Sequence, residues 1–369
     1  MHLNIPEITP TEFISTLDGL RAANIPAMLH GQPGVGKSYC IEEYCRKNDI
    51  HLVTRMLGQM QAGDLTIPWI NKETGTVHWA IAEFLKELPQ DRPSFLFLDE
   101  ISNASLDVQV MAYQLLLKGE LGSFKLPSQC YVLAAGNRPE DGSMAQEMNT
   151  ALADRLAHFK IGVNSKQWLQ WASENGLHAI VLGVIQAYPE ILNGLGVVRG
   201  ENNLVRPTPR SWHRVSNVLY ESPKDAALKL ILPGIVGDSA AAKFLAAMKH
   251  ASELRPIKDY FAASETKLVE MSPRTLTSLY SLAYGMSAYC ASPSDIVKAL
   301  DIYRVFTEID DELPRQEVAI AAYSLFLGKA MNQGWITKVI QDKNYLKQIA
   351  PLIKSMPRLR DLTQELAVA

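Results

Sequence analysis

Up to residue 163, short apolar runs alternate along the chain with segments whose apolar positions recur at helical spacing. Five of these runs have the length and composition of buried strands, and the segments between them are mostly long enough to contain crossover helices. This alternation predicts a parallel sheet covered by helices on both faces. The five predicted strands are Ile25–Gly31, His51–Leu57, Ser94–Leu98, Cys130–Ala135 and Leu156–Val163.

A β-hairpin is predicted at Leu65–Ala80, between the second and third strands. Apolar stretches that contain Trp69 and Trp79 flank Glu73-Thr74-Gly75 in this segment. The glycine of that triplet suits the backbone angles of a tight turn. The hairpin therefore interrupts the alternation of strands and helices at this place.

Beyond Val163 the strand signals stop, and amphipathic helical segments follow one another, most of them separated by proline or glycine. The change near Asn164 predicts a domain boundary, and a weaker interruption at Ala263–Pro273 predicts a second one. We therefore predict three regions, which are an α/β domain at 1–163, a helical lid at 164–265 and a helical C-terminal region at 266–369.

The composition is that of a folded globular protein. Apolar residues make up 47% of the 369 residues and charged residues 20%, both near the globular average. With 36 basic and 39 acidic residues, the formal net charge is −3. Because no overall positive field attracts a polyanion, nucleic acid is not favoured as a partner.

The sequence also predicts where the protein resides. The N-terminus lacks the basic start and apolar stretch of a secretory signal, and the apolar run Leu177–Leu192 is too short and too polar for a membrane span. The four cysteines form no CxxC pair and have no histidine at zinc spacing. We therefore expect a cytoplasmic protein with reduced thiols and no membrane partner.

The most specific motif is Gly31-Gln32-Pro33-Gly34-Val35-Gly36-Lys37-Ser38, which fits GxxxxGK[ST] between a predicted strand and a predicted helix. The glycines let consecutive amides turn toward phosphates, and the helix N-terminus adds its positive end. Lys37 is expected to meet the β- and γ-phosphates, and the Ser38 hydroxyl to ligate Mg²⁺. The predicted nucleotide-binding residues here are Gly31, Pro33, Gly34, Val35, Gly36, Lys37 and Ser38.

Two carboxylates, Asp99 and Glu100, follow the buried run Ser94–Leu98. Because ligands of open α/β sheets gather at the carboxyl ends of the strands, both side chains are expected beside the nucleotide. Asp99 is expected to hold Mg²⁺ through water, and Glu100 to polarise the attacking water as general base. Without a phosphate-binding loop, a helix-capping acidic pair would be the preferred interpretation.

Together, the strand pattern, the phosphate loop and the Asp99-Glu100 pair resemble the AAA+ ATPases. The resemblance implies an α/β fold whose five-stranded parallel sheet has the order 5-1-4-3-2, is sandwiched by helices and is followed by an all-helical lid. It also implies a polar residue at the end of the fourth strand, where Asn137 would orient the water between the γ-phosphate and Glu100. An ordinary turn in Gly-Asn-Arg-Pro is the alternative for Asn137.

The same resemblance implies two arginine roles. An arginine finger is expected just before the fifth strand, acting on the neighbouring subunit's nucleotide, and Arg155 stands there, with Arg138 as the alternative. The lid usually returns a second arginine to the nucleotide. Arg210 is the candidate because it lies in the first turn of a predicted helix, although Arg206 and Arg214 are near enough to serve instead. The alternative for Arg155 is a surface pair with its neighbour Asp154, of small energetic value. The alternative for Arg210 is an exposed first-turn position without a ligand.

Within AAA+, the chain is similar to the MoxR-type, or helix-2-insert, branch over residues 20–225. The similarity rests on the position of the Leu65–Ala80 hairpin and on the Pro-Arg-Ser segment in the lid. It implies a homo-oligomeric ring, expected to be a hexamer, whose inserts face the pore or the upper surface and whose partner often carries a von Willebrand factor A domain. Trp69 and Trp79 would contact substrate there or pack the hairpin onto its own helix, and both alternatives stay open.

These inferences predict a MoxR-like AAA+ ring ATPase that hydrolyses Mg-ATP and remodels protein partners, with ATP and Mg²⁺ as its cofactors. The alternative is an AAA+ motor or loader on DNA in replication or restriction, which the neutral charge balance disfavours. A GTPase would need an Asn-Lys-x-Asp segment to select guanine, and Asn71-Lys72-Glu73-Thr74 lacks the aspartate.

Overall fold

The computed structural model describes residue 5 and residues 7–137, 154–194, 205–251 and 254–340. The chain divides into two compact units, Met1–Asn164 and Ser165–Ala369. The first contains every described strand, and the second is helical. The three-region division predicted from the sequence, with its second boundary near residue 265, stays a prediction.

A parallel sheet of six strands forms the centre of the first unit. The strands are β1 (Glu7–Ile8), β2 (Ala27–His30), β3 (His51–Met56), β6 (Ser94–Asp99), β9 (Cys130–Gly136) and β10 (Ala157–Ile161). They lie in the order β1-β10-β2-β9-β6-β3. Five of these are the predicted strands, and their order in space is the expected 5-1-4-3-2.

The strand β1 was not predicted, because two residues carry no periodic pattern. Glu7 pairs with Lys160 and Ile8 with Ile161 in the parallel register, and the side chains of Glu7 and Lys160 form an ion pair. The sheet edge next to β10 is thereby extended by a segment that lies far from it in sequence.

Helices cover both faces of this sheet, as the buried strands require. The described helices of this unit are α1 (Pro10–Ala22), α2 (Lys37–Lys47), α3 (Ala62–Leu65) and α4 (Leu106–Lys118). Successive side chains of β2 alternate between two cores: Ala27 and Leu29 pack with α1 and α2, whereas Met28 packs with α4. A complete capping box between Thr9 and Glu12 starts α1.

Among the described residues of this unit, two hairpins lie outside the main sheet. The predicted one is formed by β4 (Thr66–Ile70) and β5 (Val77–Ile81), which pair antiparallel. A second, unpredicted hairpin joins β7 (Glu120–Leu121) to β8 (Phe124–Lys125). The hairpins touch each other, since a Cβ added at Gly122 would lie 3.1 Å from Cγ of Trp79.

The second unit is built on helix packing, and its helices between residues 257 and 340 surround a large apolar core. Over the part of this unit that the structure describes, the helices are α5 (Ser165–Glu174), α6 (Ala179–Ala187), α7 (Pro209–Tyr220), α8 (Asp225–Val236), α9 (Asp238–Ala251), α10 (Ile257–Ala262), α11 (Glu265–Glu270), α12 (Leu276–Tyr289), α13 (Pro293–Thr307), α14 (Arg315–Asn332) and α15 (Ile336–Ile340). Gly183 lets α6 approach α12 closely, because a Cβ there would lie 2.5 Å from the Ser281 backbone nitrogen. None of the described helices combines the length and apolarity that crossing a bilayer requires.

Candidate nucleotide site

The glycine-rich loop joins the carboxyl end of β2 to the start of α2, the context that its motif requires. Gly34 and Gly36 have φ angles of 82° and 104°, in the left-handed region that glycine adopts without a steric penalty. Gly36 is the N-cap of α2. Because the cap has no side chain, the first amides of this helix remain open to an anion at its N-terminus.

Lys37 brings a cation to the inside of this loop. Its side chain is buried at the first position of α2, and the residue is 8% exposed. The ammonium donates hydrogen bonds to the carbonyl oxygens of Gly31, at 2.6 Å, and Gln32, at 3.1 Å. It also donates to Oδ1 of Asn137, at 3.0 Å, and so connects the loop to the end of β9.

Ser38 and Asp99, the two predicted magnesium ligands, lie side by side. The Ser38 hydroxyl donates a 2.7 Å hydrogen bond to Oδ2 of Asp99 across the sheet edge. A hydroxyl and a carboxylate oxygen are hard donors of the kind that Mg²⁺ takes, usually with water and phosphate oxygens in the remaining positions. The donor set present here therefore fits Mg²⁺ bound together with a nucleotide.

Glu100 has an unusual backbone. Its φ of 56° and ψ of 30° place it in the left-handed region, which costs a non-glycine residue about 1 kcal/mol or more. Two contacts hold this conformation: its amide donates to Oδ1 of Asp99 at 2.8 Å, and its carbonyl accepts from the Asn103 amide at 2.9 Å. Such strain at a strand end marks positions where the direction of a side chain matters.

Asn137 stands at the end of β9, as expected for the polar residue after the fourth strand. Besides accepting from Lys37, it donates its backbone amide to the Ser102 hydroxyl at 2.9 Å. Ser102 is buried and lies two residues after Glu100. Sequence reasoning missed Ser102, and the available signal was a small polar residue two positions after the carboxylate pair.

The thiol of Cys40, next to this site, is held in its protonated, weakly nucleophilic form. Cys40 lies in the first turns of α2, and its thiol donates to the Gly36 carbonyl oxygen at 3.0 Å. Burial raises the pKa of this thiol to about 12. Because only the thiolate is strongly nucleophilic, Cys40 acts here as a packing residue.

The structure does not test the roles predicted for the arginines. Arg155 precedes β10 by two residues and is exposed, whereas its alternative, Arg138, lies outside the described residues. Arg210 is exposed in the first turn of α7, where Thr208 caps the helix. Arg206 and Arg214 are exposed as well. The roles of all of these side chains therefore stay predictions.

The comparisons with known proteins give one informative match. No curated protein matches the chain. Three solved structures resemble it at low similarity. A provisionally named ATPase of Cytophaga hutchinsonii is 13% identical, with a TM-score of 0.33 over 85% of this chain and 81% of that one. NtrX of Brucella abortus, solved with ADP, is 12% identical, with a TM-score of 0.39 over 86% and 68%.

The third is RuvB of Thermotoga maritima, solved as a lysine-to-arginine mutant and 12% identical, with a TM-score of 0.36 over 71% of this chain and 79% of that one. These three likenesses are too weak to support a conclusion about the chain. The informative match is to a family model: residues 27–159 fit the ATPase family associated with various cellular activities (AAA). This segment runs from the first residue of β2 to the third residue of β10.

Proposed function

We propose that this chain, which carries an AAA ATPase domain at residues 27–159 and is an ATP-hydrolysing enzyme, works as a MoxR-like ring that remodels protein partners. The observation that carries the proposal is the joined set of polar groups at one sheet edge. Lys37 bonds Asn137, and Ser38 bonds Asp99. The ends of three strands thus bring an ammonium, a hydroxyl, a carboxylate and an amide to one place.

The phosphates would be held by the loop amides, the N-terminus of α2 and the Lys37 ammonium. The Lys37 ammonium already donates to carbonyl oxygens of this loop. Phosphate oxygens would replace these carbonyl oxygens as its acceptors. Lys37 is buried, and this partial desolvation strengthens its attraction for a polyanion.

Mg²⁺ would be held by Ser38 directly and by Asp99 through water. When bound, it neutralises charge that develops on the phosphate oxygens. The short Ser38–Asp99 hydrogen bond supports this role because it holds the two oxygens close together before any ligand binds.

Glu100 would take a proton from the attacking water, and Asn137 would orient that water. The backbone contacts of each residue support these roles. Glu100 is fixed through Asp99 and Asn103, and Asn137 is fixed through Ser102. Groups held in place in this way speed the attack of water, because they need not move into position during the reaction.

Arg155 would complete the site of the adjoining subunit in a homo-oligomeric ring. Its exposure just before β10 supports this role, since a side chain that acts on a neighbour must be accessible. Arg210 is proposed to sense the nucleotide from the helical second unit. An arginine finger is worth about three to five orders of magnitude in rate.

The exposed β4–β5 hairpin supports contact with a protein partner. Ile67, Trp69, Ile70, Val77 and Trp79 are 42–66% exposed, an unusual concentration of large apolar side chains at the surface. The two tryptophans differ in their packing. Trp79 packs on Gly122, whereas Trp69 stacks on His78 of the same hairpin. A von Willebrand factor A domain protein is the proposed type of partner.

Mixing two inactive variants tests the ring. Arg155→Ala subunits keep an intact loop but lack the finger, whereas Lys37→Ala subunits keep the finger but lose ATP. If the finger acts on a neighbour, mixtures of the two should regain part of the lost turnover. Light scattering should show the same assembly for both variants, and intact assembly without any recovery would contradict the role of Arg155 in trans.

A further inference from the structure

A glycine outside the recognised motifs lies against the general base. Gly58 belongs to the short 3-10 turn Leu57–Gln59 that follows β3. A Cβ added at Gly58 would lie 2.9 Å from Oε2 of Glu100 and 3.4 Å from its Cβ. Real Cβ atoms do not approach other atoms as closely as 2.9 Å, so the Glu100 carboxylate occupies space that only glycine leaves free at position 58.

We propose that Gly58 is a positioning residue for Glu100, and that the absence of a side chain there sets where the carboxylate lies. The inference rests on the role proposed for Glu100 as general base. It goes beyond that role because it assigns part of the position of the Glu100 carboxylate to a turn that is not adjacent in sequence to the phosphate loop or to the two carboxylates.

The backbone of Glu100 leaves its side chain little choice of direction. Its left-handed conformation is fixed by the amide bond to Asp99 and by the Asn103 amide that bonds its carbonyl. Asn103 also limits the space from the other side, since the added Cβ at Gly58 would lie 3.2 Å from the Asn103 Cβ. A carboxylate displaced from Gly58 must therefore rotate about its own side-chain bonds.

Apart from the contacts with Glu100 and Asn103, Gly58 tolerates alanine. Its φ is not in the left-handed region, so an L-residue fits the backbone. The position is exposed, while Leu57 beside it is fully buried and anchors the turn. The severe overlap is with the far end of a flexible side chain, which can move cheaply. Gly58→Ala should thus move the carboxylate without unfolding the turn.

The expected effect is on turnover and not on binding. A displacement of about 1 Å at a reacting group can cost on the order of a hundredfold in rate, so we expect kcat of Gly58→Ala to fall by about tenfold to a hundredfold. KM and the affinity for a fluorescent ATP analogue should stay within about twofold, because lost transition-state interactions lower kcat without weakening ground-state binding.

Gly63→Ala is the matched control. Gly63 lies on the same connection between β3 and β4, and its added Cβ would make only an ordinary contact, 3.9 Å from Ile67. The full-length wild type, both alanine variants, Glu100→Gln and the Gly58→Ala/Glu100→Gln double variant are compared by steady-state phosphate release, nucleotide binding and thermal unfolding.

If Gly58 acts through Glu100, Gly58→Ala should lower kcat in the wild-type background and leave the residual rate of Glu100→Gln unchanged, since residues that act as a unit are not additive. Equal kcat values for Gly58→Ala and Gly63→Ala, with Glu100→Gln strongly impaired, would overturn this inference alone. A kcat loss that multiplies the Glu100→Gln loss would also overturn it. Normal turnover by Glu100→Gln would instead contradict the proposed function.

Discussion

The candidate nucleotide site at the sheet edge and the β4–β5 hairpin belong to the same unit, yet the first buries a charged side chain and the second exposes large apolar side chains. At the sheet edge, Lys37 is 8% exposed and its ammonium bonds Gly31, Gln32 and Asn137. On the hairpin, Ile70 is 66% exposed. The polar groups that are proposed to act on phosphate are held in place by hydrogen bonds within the unit. The apolar groups exposed to water support the proposed role of the hairpin as a partner surface.

The largest effect should follow from removing the cation at the sheet edge. Lys37→Ala deletes the ammonium that is proposed to meet the phosphates, so we expect ATP affinity and turnover to fall by more than about a hundredfold. The measurement is titration with a fluorescent ATP analogue, followed by phosphate release. The hairpin should be unaffected, and this separates the two regions.

Lys47→Ala is the control for that variant. Lys47 ends the same helix, is exposed, and pairs with Glu43 at 3.1 Å, a surface contact worth little. We expect unchanged nucleotide binding and turnover. Equal losses for the two lysine variants would show that the effect comes from the helix as a whole and not from the phosphate loop.

An intermediate effect should come from the contact between the two hairpins. Gly122→Ala introduces a left-handed alanine with φ near 60° and a Cβ 3.1 Å from Trp79. Gly75→Ala introduces comparable strain, at φ 66°, with nothing within 4 Å. The first variant should therefore lose roughly 1 kcal/mol more unfolding free energy than the second, the scale of core overpacking.

Chemical unfolding with tryptophan fluorescence measures this difference. Nucleotide binding should be equal in the two glycine variants, because both turns lie outside the phosphate loop. Identical unfolding free energies would mean that Trp79 moves away at no cost, and the contact with Gly122 would then play no part in holding the β4–β5 hairpin.

The smallest effect on the isolated protein should come from Trp69→Ala. Trp69 is 51% exposed and stacks on His78, with ring centroids 5.0 Å apart. Loss of this cross-strand pair should cost less than about 1 kcal/mol, and basal ATP turnover should stay within about twofold. A large fall in basal turnover would contradict the assignment of this surface to a partner rather than to the reaction.

Much of the fold follows from local pattern together with family resemblance. The uninterrupted apolar run Ser94–Leu98 predicted β6, and the resemblance supplied the strand order that is observed. β1 could not be predicted, because Glu7 and Ile8 become a strand only by pairing with the distant β10. The β7–β8 hairpin has only two residues in each strand, which is too few for a period to appear.

The candidate site could likewise be predicted only in part from the sequence. Ser38 and Asp99 were predicted to share one metal, and the structure places their oxygens 2.7 Å apart. Ser102 and Gly58 were not found, because their contacts with Asn137 and Glu100 join segments that carry no common motif. The roles of Arg155 and Arg210 depend on a neighbouring subunit and on the placement of the lid, and sequence spacing determines neither.

Phosphate release by the wild type with Mg-ATP, measured beside Glu100→Gln under the same conditions, tests the central claim most directly. The account predicts steady turnover by the wild type and at least about a hundredfold less by Glu100→Gln, with both proteins retaining the fluorescent ATP analogue equally. A wild type that neither retains nor cleaves ATP, or a Glu100→Gln variant that cleaves it at the wild-type rate, would contradict it.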